Sequence, residues 1–272
     1  MTKEQLKFLL KKYKIFPRKE QGQNFLLDDQ IIKDIIAVSN LSKDDTILEI
    51  GPGFGVLTLA LAQKTKKVLA IEQDRNIYPA MLALSRQQKN IFPFNQSIQK
   101  FNLESADFKN QQYKLIANLP YSITSWVLQH FLEHHPQPGV MVIMVQKEVA
   151  ERVIAVKGAM SILSCAVNLY ADAEIMRLVA AECFYPAPKV MSAILKLTVR
   201  PQPKVKDPEK LMQIIKIGFS AKRKQLHHNL SAFFHFSPSK AKNILEKSQL
   251  GLNVRAQELS VEDWIRLQKN LV

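Results

Sequence analysis

The chain has 272 residues, 47% of them hydrophobic, enough for one large domain, or one with a smaller appendage, around a substantial core. Lys and Arg number 38 against 24 Asp and Glu; the net charge of +14 exceeds what solubility asks and makes nucleic acid the first partner to consider. Two cysteines, Cys165 and Cys183, exclude a disulfide framework or a CxxC metal site, the histidines lack metal-ligand spacing, the N-terminus carries no secretory apolar stretch, and the apolar run at 140–145 is too short to span a bilayer.

In chain order, residues 1–14 read as a short basic helix, 17–28 as a loop and 29–38 as a second helix. Residues 46–50 (TILEI) form a strand that runs into Gly51-Pro52-Gly53-Phe54-Gly55, after which Leu57, Ala60 and Leu61 recur at helical spacing. A strand at 68–71 ends on Glu72, a helix covers 78–87, and 91–94 is a weak strand. The strand at 114–117 runs into Asn118-Leu119-Pro120-Tyr121 and a helix at 122–134, followed by a strand at 140–145 and a helix at 147–155. Strands alternating with helices at this spacing predict a parallel sheet covered on both faces. After a helix at 162–170 the alternation stops. Strands at 174–179 and 190–199 have no helix between them and suit an antiparallel pair at the sheet's end. The second of them alternates, partway, Ala193, Leu195 and Leu197 against Ser192, Lys196 and Thr198. Residues 200–207 (RPQPKVKD) form a Pro- and Lys-rich linker, and everything beyond is helical. The expectation is therefore an α/β domain over residues 1–200 and a small all-helical domain over 201–272.

A glycine turn between a strand and a helix lets a ligand approach backbone N–H groups. A carboxylate about twenty residues on, Glu72, is placed to accept hydrogen bonds from ribose hydroxyls. The spacing is G-x-G-x-G rather than G-x-G-x-x-G, and Glu49 suits a ligand that ends in an ammonium group. Both details favour S-adenosylmethionine over a dinucleotide. Asn118 would then face the activated methyl from the neighbouring strand. The amino nitrogen of adenine is a poor nucleophile because its lone pair is delocalised. The Asn118 side-chain oxygen and the Leu119 carbonyl could accept its two N–H groups and draw it towards tetrahedral geometry. Pro120 would fix those acceptors and Tyr121 would offer a stacking face. The competing reading is an asparagine that merely caps the following helix.

These residues resemble the KsgA/RsmA family of rRNA adenine N6,N6-dimethyltransferases, relatives of the Erm enzymes, over nearly the whole chain. The matching motifs are Gln21 to Leu26 (GQNFL), Glu49 to Thr58, Ala70 to Asp74, Asn118 to Tyr121, Gln146 to Val149, and Phe184-x-Pro-x-Pro-Lys189-Val190. The resemblance implies a Rossmann-like, S-adenosylmethionine-dependent fold in which Asn24 and Leu26 hold the methionine end, Gly51 lies under the cofactor with Gly53 beside it, and Glu72 takes the ribose. It also implies that Phe184 packs on the target base opposite Tyr121. The implied product is N6,N6-dimethyladenosine at two adjacent adenosines near the 3′ end of small-subunit rRNA, made during ribosome biogenesis. Two positions depart from the family pattern. Ser97 stands where an Asp usually accepts the adenine amine, and Met191 where an Asp follows PKV.

Lys222-Arg223-Lys224 reads as a phosphate-contact run, and the family has a similar run in its helical domain; a solvated helix face is the alternative. Lys11, Lys12, Lys14, Arg18 and Lys19 form a second basic patch. The expected partner is small-subunit rRNA in a pre-ribosomal particle, and the expected protein is a cytoplasmic monomer using neither metal nor membrane. Three rivals stay open: an Erm-type enzyme of large-subunit rRNA, a DNA adenine methyltransferase, and a non-catalytic ribosome-assembly or transcription factor on the same fold.

Overall fold

A computed structural model describes residues 1–17, 23–106 and 108–271. Arg18, Lys19, Gln21 and Gly22 lie outside the described residues. The chain divides into two compact units, Met1–Ala150 with Ala173–Pro201, and Glu151–Asp172 with Gln202–Val272.

The first unit is built on a Rossmann-like seven-stranded sheet. Strand β2 (Thr46–Ile50) lies near its middle. It pairs in parallel with β3 (Lys67–Glu72) on one side and β5 (Lys114–Asn118) on the other. β4 (Ile91–Asn95) extends the β3 side, and β6 (Val140–Gln146) the β5 side, both in parallel. β9 (Ser192–Val199) joins β6 antiparallel, and β7 (Ala171–Val179) closes the order β4-β3-β2-β5-β6-β9-β7. The chain thus winds away from β2 in both directions. A crevice opens at the carboxyl ends of β2 and β5, where the winding reverses.

The sequence explains the helices that flank this crevice. α1 (Lys3–Lys12) opens on a Thr2/Gln5 capping box and buries Leu6 and Leu10, which pack with Phe25, Phe54 and Ile77. Asp28 caps α2 (Asp29–Val38), whose Ile31, Ile32 and Ile35 enter the main core. α3 (Val56–Ala62) follows Gly55, which sits at φ +80°. α4 (Tyr78–Gln87) carries its proline in the first turn. α5 (Thr124–Glu133) buries Val127, Leu128, Phe131 and Leu132. α6 (Lys147–Val153) follows β6.

Two features differ from the sequence expectation. β9 alternates only in its second half, where Leu195, Leu197 and Val199 are buried and Lys196 and Thr198 are not; Ser192, expected opposite Ala193, is as buried as Ala193. A two-residue strand, β1 (Phe25–Leu26), pairs antiparallel with another, β8 (Phe184–Tyr185), where only loops were expected.

The second unit is helical: α7 (Ile162–Tyr170), α8 (Pro208–Gly218), α9 (Leu226–Phe234), α10 (Pro238–Lys247) and α11 (Val261–Leu271). The expected boundary after residue 200 coincides with one crossing between units, but Glu151–Asp172 also falls in the helical unit because α7 packs on α8. Trp264 of α11 is 0% exposed, and a Cβ added to Gly218 of α8 would lie 2.2 Å from its ring. Gly218→Ala should therefore destabilise this unit by about 1–3 kcal/mol through overpacking. Urea unfolding followed through tryptophan emission checks this, and an unchanged midpoint would show that the α8–α11 contact yields without strain.

Candidate active site

The cavity at the switch point has a volume of about 500 Å³, within the usual range for small-molecule sites. Its wall gathers Asn24, Leu26, Gly51, Gly53, Glu72 and Asn118 with Leu119, Pro120 and Tyr121, residues from four separate stretches of sequence.

The glycine turn after β2 is held from two sides. Gly51 has φ +67°, and a Cβ there would meet Pro120 Cδ at 3.3 Å. Gly53 has φ +58°, and a Cβ there would meet the Phe25 ring at 3.4 Å. Any side chain at either position would meet strain from the backbone as well as a neighbour.

β5 ends on Asn118, whose Nδ2 donates to the Asn24 carbonyl at 3.2 Å. With the donor end engaged, the acceptor Oδ1 is the end of the amide left for a guest. Gln23 Nε2 donates to Asp74 Oδ2 at 3.1 Å, so residues 23–26 are tied to the ends of both β5 and β3. The Tyr121 hydroxyl shares a 2.7 Å hydrogen bond with Ser192 Oγ at the start of β9, which anchors the ring. Burial raises the pKa of that hydroxyl and the Ser192 bond only partly opposes this, so Tyr121 keeps its proton at neutral pH.

Two buried carboxylates line the same cavity. Glu72, at the end of β3, accepts the Asp74 N–H at 2.8 Å and the Gly53 N–H at 3.2 Å. Burial pushes its carboxyl up to about 7 against the pull of those two amides. Glu49 is 1% exposed, and its Oε2 has no hydrogen-bond partner. Burial pushes it up to about 8, with the Thr58 hydroxyl opposing the rise and the Glu72 charge adding to it. An orphaned buried carboxylate oxygen beside a second desolvated carboxylate fits a guest that brings a positive charge and hydroxyl donors.

Two of the expected site residues, Ser97 and Phe184, are not on the cavity wall. Gln96 and Ile98 line the cavity on either side of Ser97, which lies at the start of a short 3-10 turn. Phe184 is 3% exposed, because its pairing with Leu26 directs the ring into the main core with Ile31 and Ile32. Met191, the other departure, has an exposed side chain and uses only its carbonyl, which accepts the Lys147 N–H. Sequence reasoning missed Gln23 as a tether and Ser192 as the anchor of Tyr121. Ser192 carried one signal, a hydroxyl at the first position of a strand whose next three residues are apolar.

The carboxylates generate a pH prediction. Glu49 holds its proton to higher pH in the folded chain than in the unfolded one, where its value is 4.5, so its presence costs stability increasingly from about 4.5 to about 8. Glu49→Gln should therefore stabilise the cofactor-free protein more at pH 8 than at pH 5, by a difference on the order of 2 kcal/mol. Urea denaturation at the two pH values measures it, and an equal effect at both would mean that Glu49 ionises like an exposed carboxylate.

Comparison with known proteins agrees with this geometry. Residues 17–272 match the model of the ribosomal RNA adenine dimethylase family. The chain is 38% identical over 273 residues to the ribosomal RNA small subunit methyltransferase A of Alkaliphilus metalliredigens, covering 97% of this chain and 95% of that one. The crystal structure of a dimethyladenosine transferase from Plasmodium falciparum matches with a TM-score of 0.78 at 26% identity, over 89% of this chain and 95% of that one. That of the 23S rRNA methyltransferase ErmE shares the fold, with a TM-score of 0.73 at 24% identity over 91% of this chain and 99% of that one. A doubly wound sheet with its crevice between a glycine turn and an Asn-Leu-Pro-Tyr strand end, matched along nearly the whole length, places the chain in the ribosomal RNA adenine dimethylase family.

Proposed function

We propose that this protein transfers methyl groups from S-adenosylmethionine to N6 of two adjacent adenosines near the 3′ end of small-subunit rRNA, acting as a cytoplasmic monomer on a pre-ribosomal particle. The observation that carries the reading is the orientation of Asn118 at the switch-point cavity, with its donor end given to Asn24. When bound, S-adenosylmethionine supplies a methyl group already activated by positive sulfur. Glu72 would accept the ribose hydroxyls, and Glu49 would meet the ammonium group. Asn24, Leu26, Gly51 and Gly53 would shape the space between. The orphaned Glu49 oxygen is the feature that best fits such a guest.

The chain's own part in transfer is positional. Asn118 Oδ1 and the Leu119 carbonyl would accept the two N–H groups of the target amine. These contacts strengthen as its nitrogen leaves the plane of the ring, so they favour the transition state over the ground state. Pro120 restrains the backbone that aims them, and Gly51 leaves room for it. Tyr121 offers a ring face to the flipped-out base. With its hydroxyl held by Ser192 and its pKa raised, it is a platform and not a proton acceptor. Phe184 would act behind Leu26, supporting the wall.

Asn118→Ala should lower single-turnover methylation of small-subunit particles by about a hundredfold or more while leaving cofactor affinity within a few-fold. A rate close to that of the unaltered enzyme would remove Asn118 from catalysis. The experiment that tests the function as a whole is mass spectrometry of rRNA from cells lacking the protein, where the paired dimethyladenosines of the small subunit should vanish.

Lys222, Arg223 and Lys224 are exposed in the turn between α8 and α9, not on a helix face, and are proposed as phosphate contacts. Changing all three to Ala should flatten the plot of log affinity against log salt by about 0.7–0.9 for each phosphate that these side chains neutralise. Filter binding at several salt concentrations reads the slope, and an unchanged slope would take this run out of the RNA interface.

A further inference from the structure

The helical unit carries an exposed aromatic cluster that the proposed chemistry does not use. α9 ends on Phe233 and Phe234, and His235 then adopts the left-handed conformation, φ 54° and ψ 34°. That single residue turns the chain back on itself. Phe236 stacks on Phe234 with ring centroids 5.4 Å apart at 17°, and Phe233 meets Phe234 edge-on at 5.1 Å and 77°. Lys240 Nζ, in the first turn of α10, lies 4.1 Å from the centroid of Phe236. Phe234 and Phe236 are thereby half-buried in one another. Phe233 is not: it is 59% exposed, among the most exposed large apolar side chains of the described residues.

In sequence the cluster falls in a basic run bounded by Glu209 and Glu246. From residue 210 to residue 245 the sequence holds seven Lys or Arg and no Asp or Glu. His227, also on α9, is held below its usual pKa by burial first, then by the neighbouring His228 and Lys242. Phosphate-bearing ligands favour such a run of cations. A rigid aromatic group beside cations, as Phe236 is beside Lys240, is the combination that stacks bases while holding the backbone.

We infer that Phe233, braced by Phe234 and Phe236, is a docking site for an unpaired nucleobase of the RNA substrate, lying outside the catalytic cavity. The inference rests on the reading that this chain acts on rRNA. It adds a base-stacking contact to the phosphate contacts of residues 222–224, and it identifies the substrate region that reaches this unit as single-stranded or looped, since a base held in a duplex has no free face to offer.

The test uses the full chain, cofactor and small-subunit particles from cells lacking the protein. Phe233→Ala should weaken particle binding roughly 5- to 150-fold, leave the salt slope unaltered because the phosphate-binding cations all remain, and leave cofactor affinity unaltered. Phe233→Trp should keep particle affinity within about threefold of the unaltered chain, with the added indole emission quenched on binding. Particle affinity of Phe233→Ala within twofold of wild type would overturn the proposal. So would a change confined to sedimentation behaviour, which would make Phe233 a protein–protein contact. Such results leave the methyltransferase reading intact, because methylation at saturating particle does not depend on Phe233. If the unaltered chain itself binds the particle no better than an unrelated RNA, the reading beneath the proposal fails and the proposal with it.

Discussion

The bond from Asn118 to the Asn24 carbonyl decides what the cavity presents. The amide nitrogen keeps a second hydrogen, but its bond to the Asn24 carbonyl fixes which side the nitrogen takes and turns Oδ1 to the other. By committing the nitrogen to the backbone of an early segment, the fold makes the strand terminus an acceptor. The same segment is tethered at Gln23 to Asp74, beyond the far strand. One short stretch therefore spans the mouth of the crevice, and its position depends on both strands being in register. Gly51 beneath Pro120 and Gly53 beneath Phe25 extend the dependence: each contact needs a residue without a side chain on one side and a rigid or planar one on the other.

The electrostatics of the crevice follow from this packing. Strands buried on both faces leave Glu49 and Glu72 little access to water, and the Glu72 charge adds to the difficulty at Glu49. Backbone amides compensate Glu72 in part. Nothing comparable reaches the Glu49 Oε2 atom. A fold that keeps such an atom accepts a penalty in isolation that a cationic guest removes, which concentrates binding energy at one end of the ligand. Affinity and stability are then linked through the same pair of side chains.

Much of this was legible in the sequence, because the regular alternation of strand and helix carries its own periodicity and the glycines and prolines mark its turns. Helices at 29–38, 78–87 and 162–170 were readable to the residue. The chemistry of Asn118 to Tyr121 was readable because amide, proline and ring at a strand end have few joint uses. What escaped was non-local. Two-residue strands such as β1 and β8 have no period to detect, so neither their pairing nor the burial of Phe184 could be foreseen. The membership of α7 depended on which of two apolar surfaces it would cover, and an amphipathic helix alone does not specify its partner.

The β1–β8 ladder has a consequence for the order in which the molecule is made. Leu26 emerges early in synthesis, and Phe184 only after nearly the whole of the first unit has been translated. The parallel strands β2 to β6 can associate before that, but the segment that spans the crevice mouth gains its partner strand only after them, shortly before β9 completes the sheet beside β6. A nascent chain therefore carries a sheet with an unfinished rim. Truncation anywhere before residue 184 would leave the rim unpaired and would also remove β9 from the sheet. The binding crevice is in this sense a checkpoint on completion of the chain, closed by a residue that lies far from it in sequence and contributes nothing to its surface.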